Sequence, residues 1–560
     1  METTTNLLAI LSLNSFVASA LILLFRRRAI AELLAIASAI LSLAISMYLI
    51  SLPYLPIEIQ FLPHISLYLD RLSAFFSLVV SLIGSAVAIY SVDYMKNAKD
   101  FTRYYSLISL FVGAMLNLVL ASDIIYLLLN WELVGVCSAL LIAYWWERKE
   151  ARRAGMKALI MTRIGDVGLM AFASIALYYG ESSIPAILSS QQLSLKLIPF
   201  LPLLVLAAMG KSAQFPLHTW LPDAMEGPTT VSALLHAATM VKAGVYLMLR
   251  FYPIFLGNQA AVAFLLAVSI ITLYLSSLAG LVSMDIKRVL AFSTLSSLSL
   301  MFIAICLGEF YVALLYLFNH ALFKALLFLV SGRVEHSLHT RDISRLKGLW
   351  GKGFKIETAG FLIGALSAAG LPPLSAGIVK EELFVGMIPH FSLLEYYLIA
   401  GTMSFLMAIF IMRPFVLSFL GRTSNEGAHD KERTPLMTGV NLFLLAMTLI
   451  AIVPTMIISR YLGGSGLKLE IETLPFLGVL LGILCAFFIP RTNVSISNIM
   501  RKSIESSFGI DIAYNRIGEV FYRYISMAAS KLNSGKASQG LRGMIAIVVL
   551  IIIALVVFAP

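Results

Sequence analysis

The stretch Gly210-Lys211-Ser212-Ala213-Gln214-Phe215-Pro216-Leu217-His218-Thr219-Trp220-Leu221-Pro222-Asp223, continued from Ala224 to Leu247 as AMEGPTTVSALLHAATMVKAGVYL, decides how the chain folds. An apolar run that begins near residue 197 reaches a lysine, meets two prolines, and gives way to a second apolar run over 229–250 that holds His236 and Lys242. Proline removes a backbone donor and breaks the helical ladder. Hydrocarbon tolerates such a break only where protein or a watery cavity satisfies the freed groups. This stretch therefore reads as a broken membrane helix with a lysine at the break, followed by a spanning helix with ionisable groups inside it.

The rest of the chain agrees. Its 560 residues are 59% hydrophobic and 13% charged, with a mean hydropathy of +0.91, where a soluble protein carries about 25% charged residues. Uncharged runs such as Tyr104 to Ala121, Ala261 to Met284 and Met544 to Pro560 approach the roughly 20 residues a spanning helix needs. The hydropathy predicts an all-α polytopic membrane protein of 16 helices, near 7–25, 31–50, 72–92, 104–121, 124–146, 156–179, 197–215, 229–250, 260–284, 288–307, 310–332, 356–386, 393–420, 436–458, 474–490 and 543–559. The expected divisions are N-terminal helices (1–103), a first repeat (104–252), a second repeat (253–420), C-terminal helices (421–490), a lateral amphipathic arm (491–542) and an anchor helix (543–560).

A net charge of +11 does not imply nucleic acid, because the basic residues fall in short clusters between apolar spans and form no continuous face. Arg26 to Arg28, Lys96 with Lys99 and Arg103, Arg148 to Arg153, Lys287 with Arg288, and Arg333 to Lys355 occupy alternate loops. That pattern follows the positive-inside rule if both termini lie outside an energy-transducing cell membrane. The N-terminus lacks a basic n-region and a cleavage site, so its first apolar run reads as a retained helix. Cys137, Cys306 and Cys485 stand far apart, a spacing that supports neither an iron-sulfur cluster nor a disulfide framework. Neither a metal site nor a resident cofactor is expected in this chain. His336 and His339 read as interfacial histidines, and Gly463 to Gly466 opens no phosphate-binding helix.

A second interruption, Gly370-Leu371-Pro372-Pro373 with Gly377, precedes Lys380. Two Pro/Gly-broken segments in corresponding halves, each beside a lysine, point to a transporter of two inverted repeats with ion sites at the breaks. A charge at mid-bilayer costs roughly 2.5 to 3.5 kcal/mol, so each one calls for a partner or a task. The candidates are Glu132, Lys211, His236, Lys324 and Lys380, with Tyr316 and His320 on the helix face that carries Lys324. Glu132 and Lys211 can also be read as a static ion pair, and the Tyr316 stripe as a structural one.

Trp131-Glu132, the run from Gly210 to Leu247, Asp285-Ile286-Lys287-Arg288 with Ser293-Thr294, NHALFKALLF at 319–328, and Leu371 to Glu382 resemble the antiporter-like subunits of respiratory complex I over roughly residues 65 to 420. The ending is similar to the distal, chain-5 type. The resemblance implies proton translocation along a buried Glu/Lys/His axis. Glu132 would modulate Lys211, His236 would relay towards Lys324, Lys380 would communicate with the outside, and Arg163 with Asp166 would tune Glu132. It also implies membrane partner subunits that hold the iron-sulfur clusters, flavin and quinone. Tyr316 stands where a second histidine belongs in that pattern, and Lys242 is similar to the Mrp antiporter and membrane-hydrogenase branches. A cation/proton antiporter is therefore the second reading, ahead of a solute carrier or a structural scaffold. A Glu/Lys pair at about 4 Å and a dielectric near 20 is worth roughly 4 kcal/mol. Moving one charge against about 150 mV takes roughly 3.5 kcal/mol. Making or breaking one such pair is thus of the size needed to move one proton.

Overall fold

The computed structural model describes residues 2–52, 55–62, 65–420, 434–464, 471–488 and parts of 503–516. Met1–Arg501 form one compact unit and Lys502–Pro560 a second. The arm expected over 491–542 lies almost wholly outside the described residues, and the anchor helix over 543–560 lies wholly outside them.

Two peripheral helices, α1 (Glu2–Phe25) and α2 (Arg28–Ile50), lead to a hairpin of β1 (Ile57–Leu62) and β2 (Ile65–Leu69), antiparallel with Ile57 opposite Leu69 and Ile59 opposite Leu67. Then follow α3 (Arg71–Tyr94), α4 (Phe101–Leu120), α5 (Ile124–Ile142) and α6 (Lys149–Tyr178), and the short α7 (Ile184–Ser189) and α8 (Gln191–Leu197). The first interrupted region comprises α9 (Leu201–Lys211), α10 (Trp220–Asp223), α11 (Thr229–Ala237) and α12 (Met240–Arg250). After α13 (Tyr252–Phe255) come the long α14 (Gln259–Val282), α15 (Ile286–Cys306) and α16 (Phe310–Leu338). The second interruption separates α17 (Lys355–Ala369) from α18 (Ser375–Met387). The described bundle ends with α19 (Leu393–Pro414), α20 (Pro435–Leu449), α21 (Ile452–Leu462) and α22 (Thr473–Phe488).

Among the described residues twelve helices are long and apolar enough to cross a membrane, or thirteen if α20 and α21, bent by 63°, count as one. The sequence predicts 16. The twelfth predicted helix is split into α17 and α18, neither long enough alone; α22 has 16 residues; the sixteenth lies outside the described residues. The region 51–69, left between the helices predicted near 31–50 and 72–92, contains the hairpin, whose Ile57-Glu58-Ile59-Gln60 alternation is a strand signal in a short segment.

Burial sorts the helices by depth. The α11–α12 span, α15 and α16 are enclosed along their whole apolar windows, whereas the windows of α1 and α2 are 39% and 33% buried. A helix apolar all round belongs at a bundle's centre. Large apolar side chains on α1, α2, α6 and α22 face outward, as a lipid-facing belt does. At one end the basic loops lock together: Arg28 donates to Met95 O (2.9 Å), Arg148 and Arg341 both pair with Glu226 (2.9 Å each), and Lys157 pairs with Asp223 (2.6 Å). At the other end an open cavity of about 950 Å³ is lined by Glu58, Tyr68, Asp70, Arg250 and Glu309, among others.

Candidate functional site

Lys211 is the last residue of α9, and its surroundings follow from two glycines. On α6 Gly165 lies so close to Gly210 that a Cβ on it would stand 2.8 Å from Gly210 Cα. That approach brings the next residue, Asp166, to the lysine, with Lys211 Nζ 3.3 Å from Asp166 Oδ2 and both side chains wholly enclosed. The other carboxylate oxygen accepts from Trp131 Nε1 at 2.6 Å, and the Trp131 ring centroid is 5.5 Å from Nζ. On α5, a Cβ at Gly135 would lie 2.6 Å from the ammonium. The amine therefore sits among a carboxylate, an indole and a bare backbone.

Glu132 is not the ion partner of Lys211. It pairs with Arg163, on a flank where the two side chains are 19% and 38% exposed. The cause is helical phase. At about 100° per residue, Trp131 and Gly135, four apart on α5, face α9 together, while Glu132 is turned towards α6. The expected grouping, Lys211 with Glu132 and Arg163–Asp166 as tuners of Glu132, is replaced by two pairs: Lys211 with Asp166, and Glu132 with Arg163.

The backbone beyond Lys211 is held open by specific bonds. Ala213 has φ +49, Gln214 N donates to Met209 O (2.9 Å), and Phe215 N donates to Thr272 Oγ1 (2.9 Å). Ser299 Oγ donates to Gln214 Oε1 at 3.0 Å, tying the break to α15.

The centre of the bundle holds the other candidates. His236 lies in the last turn of α11, before an interruption at Ala238–Thr239 where Thr239 Oγ1 donates to Leu234 O (2.7 Å). Neither ring nitrogen of His236 has a hydrogen-bond partner among the described residues, and its ring is 4.9 Å from that of Phe328. His320 is alike: buried, with both nitrogens unpartnered and Phe323 at 5.3 Å. Among the described residues Lys242 Nζ donates to the backbone, at Leu317 O (2.9 Å). Lys324 Nζ donates to Ser293 Oγ and lies 3.4 Å from Leu290 O. Tyr316 OH donates to Ser297 Oγ (3.4 Å). Asn319 Nδ2 and Ser375 Oγ both reach Thr455 Oγ1, at 3.1 and 2.9 Å, so one hydroxyl of α21 ties α16 to the second interruption.

There Lys380 Nζ donates to Ala369 O (3.0 Å) across the Gly370 turn, whose φ is +88 and where a Cβ would meet Lys380 Cδ at 2.5 Å. The neighbouring Glu381 accepts from Glu472 N (3.0 Å).

Lys211, Lys242, Lys324 and Lys380 are each at most 1% exposed. Three of them rest on neutral oxygens. Such amines can hold or release a proton without dismantling an ion pair, and the unpartnered imidazoles between them can accept and donate. Sequence reading missed the direct roles of Trp131, Gly135, Ser293 and Thr455. Trp131 and Ser293 stand within recognisable motifs, but nothing in the sequence says which lysine each one meets. Among the described residues no group of three or more His, Cys, Asp or Glu converges as metal ligands do.

Known proteins resemble this chain in sequence and in fold. Residues 121–412 match the family described as NADH:quinone oxidoreductase/Mrp antiporter, TM, and residues 57–105 match the N-terminus of NADH-ubiquinone oxidoreductase (complex I) chain 5. The chain is 38% identical over 388 residues to the chloroplastic NAD(P)H-quinone oxidoreductase subunit 5 of Dampiera diversifolia, covering 66% of this chain and 52% of that protein. It is 37% identical over 394 residues to NADH-quinone oxidoreductase subunit L of Rickettsia typhi, covering 68% and 60%. The matches thus span about half to three fifths of these relatives' own length. A chain of the Mrp complex from Dietzia sp. DQ12-45-1b superposes with a TM-score of 0.78 at 25% identity, covering 99% of this chain and 63% of that one. A chain of the membrane-bound sulfane sulfur reductase, an archaeal respiratory membrane complex, shares the fold with a TM-score of 0.79 at 20% identity, covering 97% and 99%. With more than half its length inside the family's transmembrane region, the chain belongs to the NADH:quinone oxidoreductase/Mrp antiporter membrane family.

Proposed function

We propose that this chain is the proton-translocating membrane subunit of a complex I-like assembly that oxidises NADH, or another reduced carrier, with a quinone. The observation that carries the reading is the row of lysines enclosed at the centre of the bundle, three of them resting on neutral oxygens, with unpartnered imidazoles between. A static scaffold has no use for so many costly groups. Lys211 would hold the transferable proton while Asp166 stabilises it, and weakening that pair would release the proton inward. His236, His320 and Lys242 would relay it to Lys324, and Lys380, at the second break, would pass it outward. The redox centres would belong to partner subunits. Segments 104–252 and 253–420 would be the two repeats, both termini would lie outside, and the basic loops would lie inside, in keeping with the positive-inside rule.

A second reading, a cation/proton antiporter subunit of Mrp type, is favoured by Lys242, enclosed in the α12 helix, and by the likeness to the Mrp complex chain. Lys211→Met tests translocation in either setting. The methionine fills similar volume and holds no proton, so the whole assembly in vesicles should form normally and lose proton movement, read with a pH-sensitive dye. Pumping at the parental rate would sink the reading. Acceleration by NADH plus a short-chain quinone, as opposed to a sodium gradient, separates the two settings.

A further inference from the structure

At the basic-loop end, one buried ion pair stands inward of the interlocked loop charges and has no place in the pathway so far. Glu335 lies eleven residues beyond Lys324 on α16, roughly 16 Å along the axis at about 1.5 Å per residue. Its Oε2 is 3.4 Å from Lys287 Nζ at the start of α15, and Lys287 also donates to Gly227 O at 3.1 Å. The pair is asymmetric, because the Lys287 side chain is 2% exposed and that of Glu335 23%. Its outer member is partly wet and its inner member is dry.

A hydroxyl chain holds the carboxylate. Tyr94 OH donates to Thr229 Oγ1 (3.3 Å), and Thr229 Oγ1 donates to Glu335 Oε2 (2.5 Å). Thr229 reaches α16 because residue 332 is a glycine, where a Cβ would stand 2.8 Å from Thr229 Cγ2. Thr229 also opens α11, and His236 follows seven residues later on the same helical face. Around the pair, Arg341 bridges Asp285 (3.1 Å) and Glu226 (2.9 Å), and the His336 ring lies 5.6 Å from that of Tyr94. Those groups lock the loops to one another. Lys287, the inner member of the pair, is near enough for its charge to act on the unpartnered imidazole of His236.

We propose that Lys287 and Glu335 form a proton gate between the basic-loop side and His236, with Thr229 as its latch; this rests on the translocation reading above. The Glu335 carboxylate takes a proton from solvent and, once neutral, ceases to balance Lys287, so that the side chain is released from the pair. The acid's proton then passes, through water admitted by the opened pair, over the roughly 10 Å that seven helical residues span to one ring nitrogen of His236; the other nitrogen gives its proton to the neutral amine of Lys324, and Glu335 returns as a carboxylate to Lys287. One proton moves and no electrons do.

The test uses inverted vesicles carrying the whole assembly, driven by NADH with a short-chain quinone or by an imposed sodium gradient. Glu335→Gln keeps the volume and an acceptor for Thr229 but cannot carry a proton. It should slow proton uptake about 10²-fold, the size of losing a positioned proton-transfer group, while Glu335→Asp should restore most of the rate. Uptake by Glu335→Gln at the parental rate overturns the gate, and so does an equally slow Glu335→Asp, which would mark a merely structural carboxylate. Should Glu335→Gln fail to assemble, Thr229→Val decides. Loss of one buried hydrogen bond should slow uptake about tenfold, and an unchanged rate overturns the proposal. Lys211→Met separates the two levels: if it stops pumping and Glu335→Gln does not, the gate alone fails, and if neither stops it, translocation itself fails.

Discussion

An ammonium group enclosed in a bilayer depends on its immediate neighbours, and for Lys211 these are the Asp166 carboxylate, the Trp131 ring and the bare Gly135 backbone. Asp166→Asn should therefore impair pumping as severely as Lys211→Met, since removing one partner of a buried pair leaves an uncompensated charge worth about 3 to 5 kcal/mol. Glu132→Gln should be milder, because Glu132 balances Arg163 on the outer flank and is not paired with Lys211. Parallel pumping assays on the two variants decide the order, and a harsher Glu132→Gln would return Glu132 to the side of Lys211. Gly135→Ala offers a finer probe. The added Cβ would meet only the tip of a flexible side chain, so the bundle should assemble while the displaced ammonium transfers protons more slowly; a parental rate would show that the position of Nζ is not critical. The lysines themselves are legible in the sequence because a charge within an apolar run is conspicuous. Their partners are not, because pairing depends on the phase and spacing of three helices, and the Gly165–Gly210 approach that selects Asp166 has no signature in any one of them.

Helix interruptions are legible where proline and glycine make them, at Pro216 and Pro222 and at Gly370 to Pro373, and illegible where they do not. The break between α11 and α12 falls at Ala238–Thr239, residues ordinary in any helix, and is closed by the Thr239 hydroxyl bonding back to Leu234 O. The hairpin 57–69 escapes notice for another reason: two strands of six and five residues carry too few alternations to stand out beside long apolar helices. Its end nonetheless sets a charge pair at the mouth of the bundle. Asp70 caps α3 by accepting from Ser73 N (2.8 Å), and Arg250 at the end of α12 reaches both its oxygens (2.5 and 3.1 Å). Burial alone would push the Asp70 carboxyl up, but the charge and hydrogen bonds of Arg250, with those of Ser73, hold it below the usual carboxylate range. A carboxylate with a depressed folded-state value stabilises fully above its unfolded value, near 4, and the contribution is lost as pH falls through the folded value. Asp70→Asn should lower the thermal midpoint of the detergent-solubilised assembly at pH 7, and the gap to the parent should narrow below about pH 4. A gap that stays constant with pH would mean that Asp70 acts as a neutral cap alone.

At the scale of the whole molecule, the surface around Glu132 and Arg163 does not suit lipid alone. The outward row of α6, Met156, Ile160, Ile164 and Val167, with Leu129 and Val136 of α5, is apolar and exposed. The Glu132–Arg163 pair is set within that surface, far from either helix end. An ion pair facing hydrocarbon bears a desolvation cost of several kcal/mol that a neighbouring subunit with polar groups at the same depth would offset. The deeply enclosed α15 and α16 need no such cover. Within the assembly proposed above, this flank is the one that a partner subunit should occupy. Replacing both members, Glu132→Leu with Arg163→Leu, removes the charges while preserving an apolar surface, so the bundle itself should insert and fold with undiminished stability. What it should lose is its neighbour. The double variant is expected to separate from the complex in mild detergent and to move no protons, whereas the single Arg163→Lys change, which keeps a cation opposite Glu132, should co-purify with its partners. Recovery of the doubly substituted chain in an intact, pumping complex would show that lipid covers this flank and that the pair serves the subunit alone.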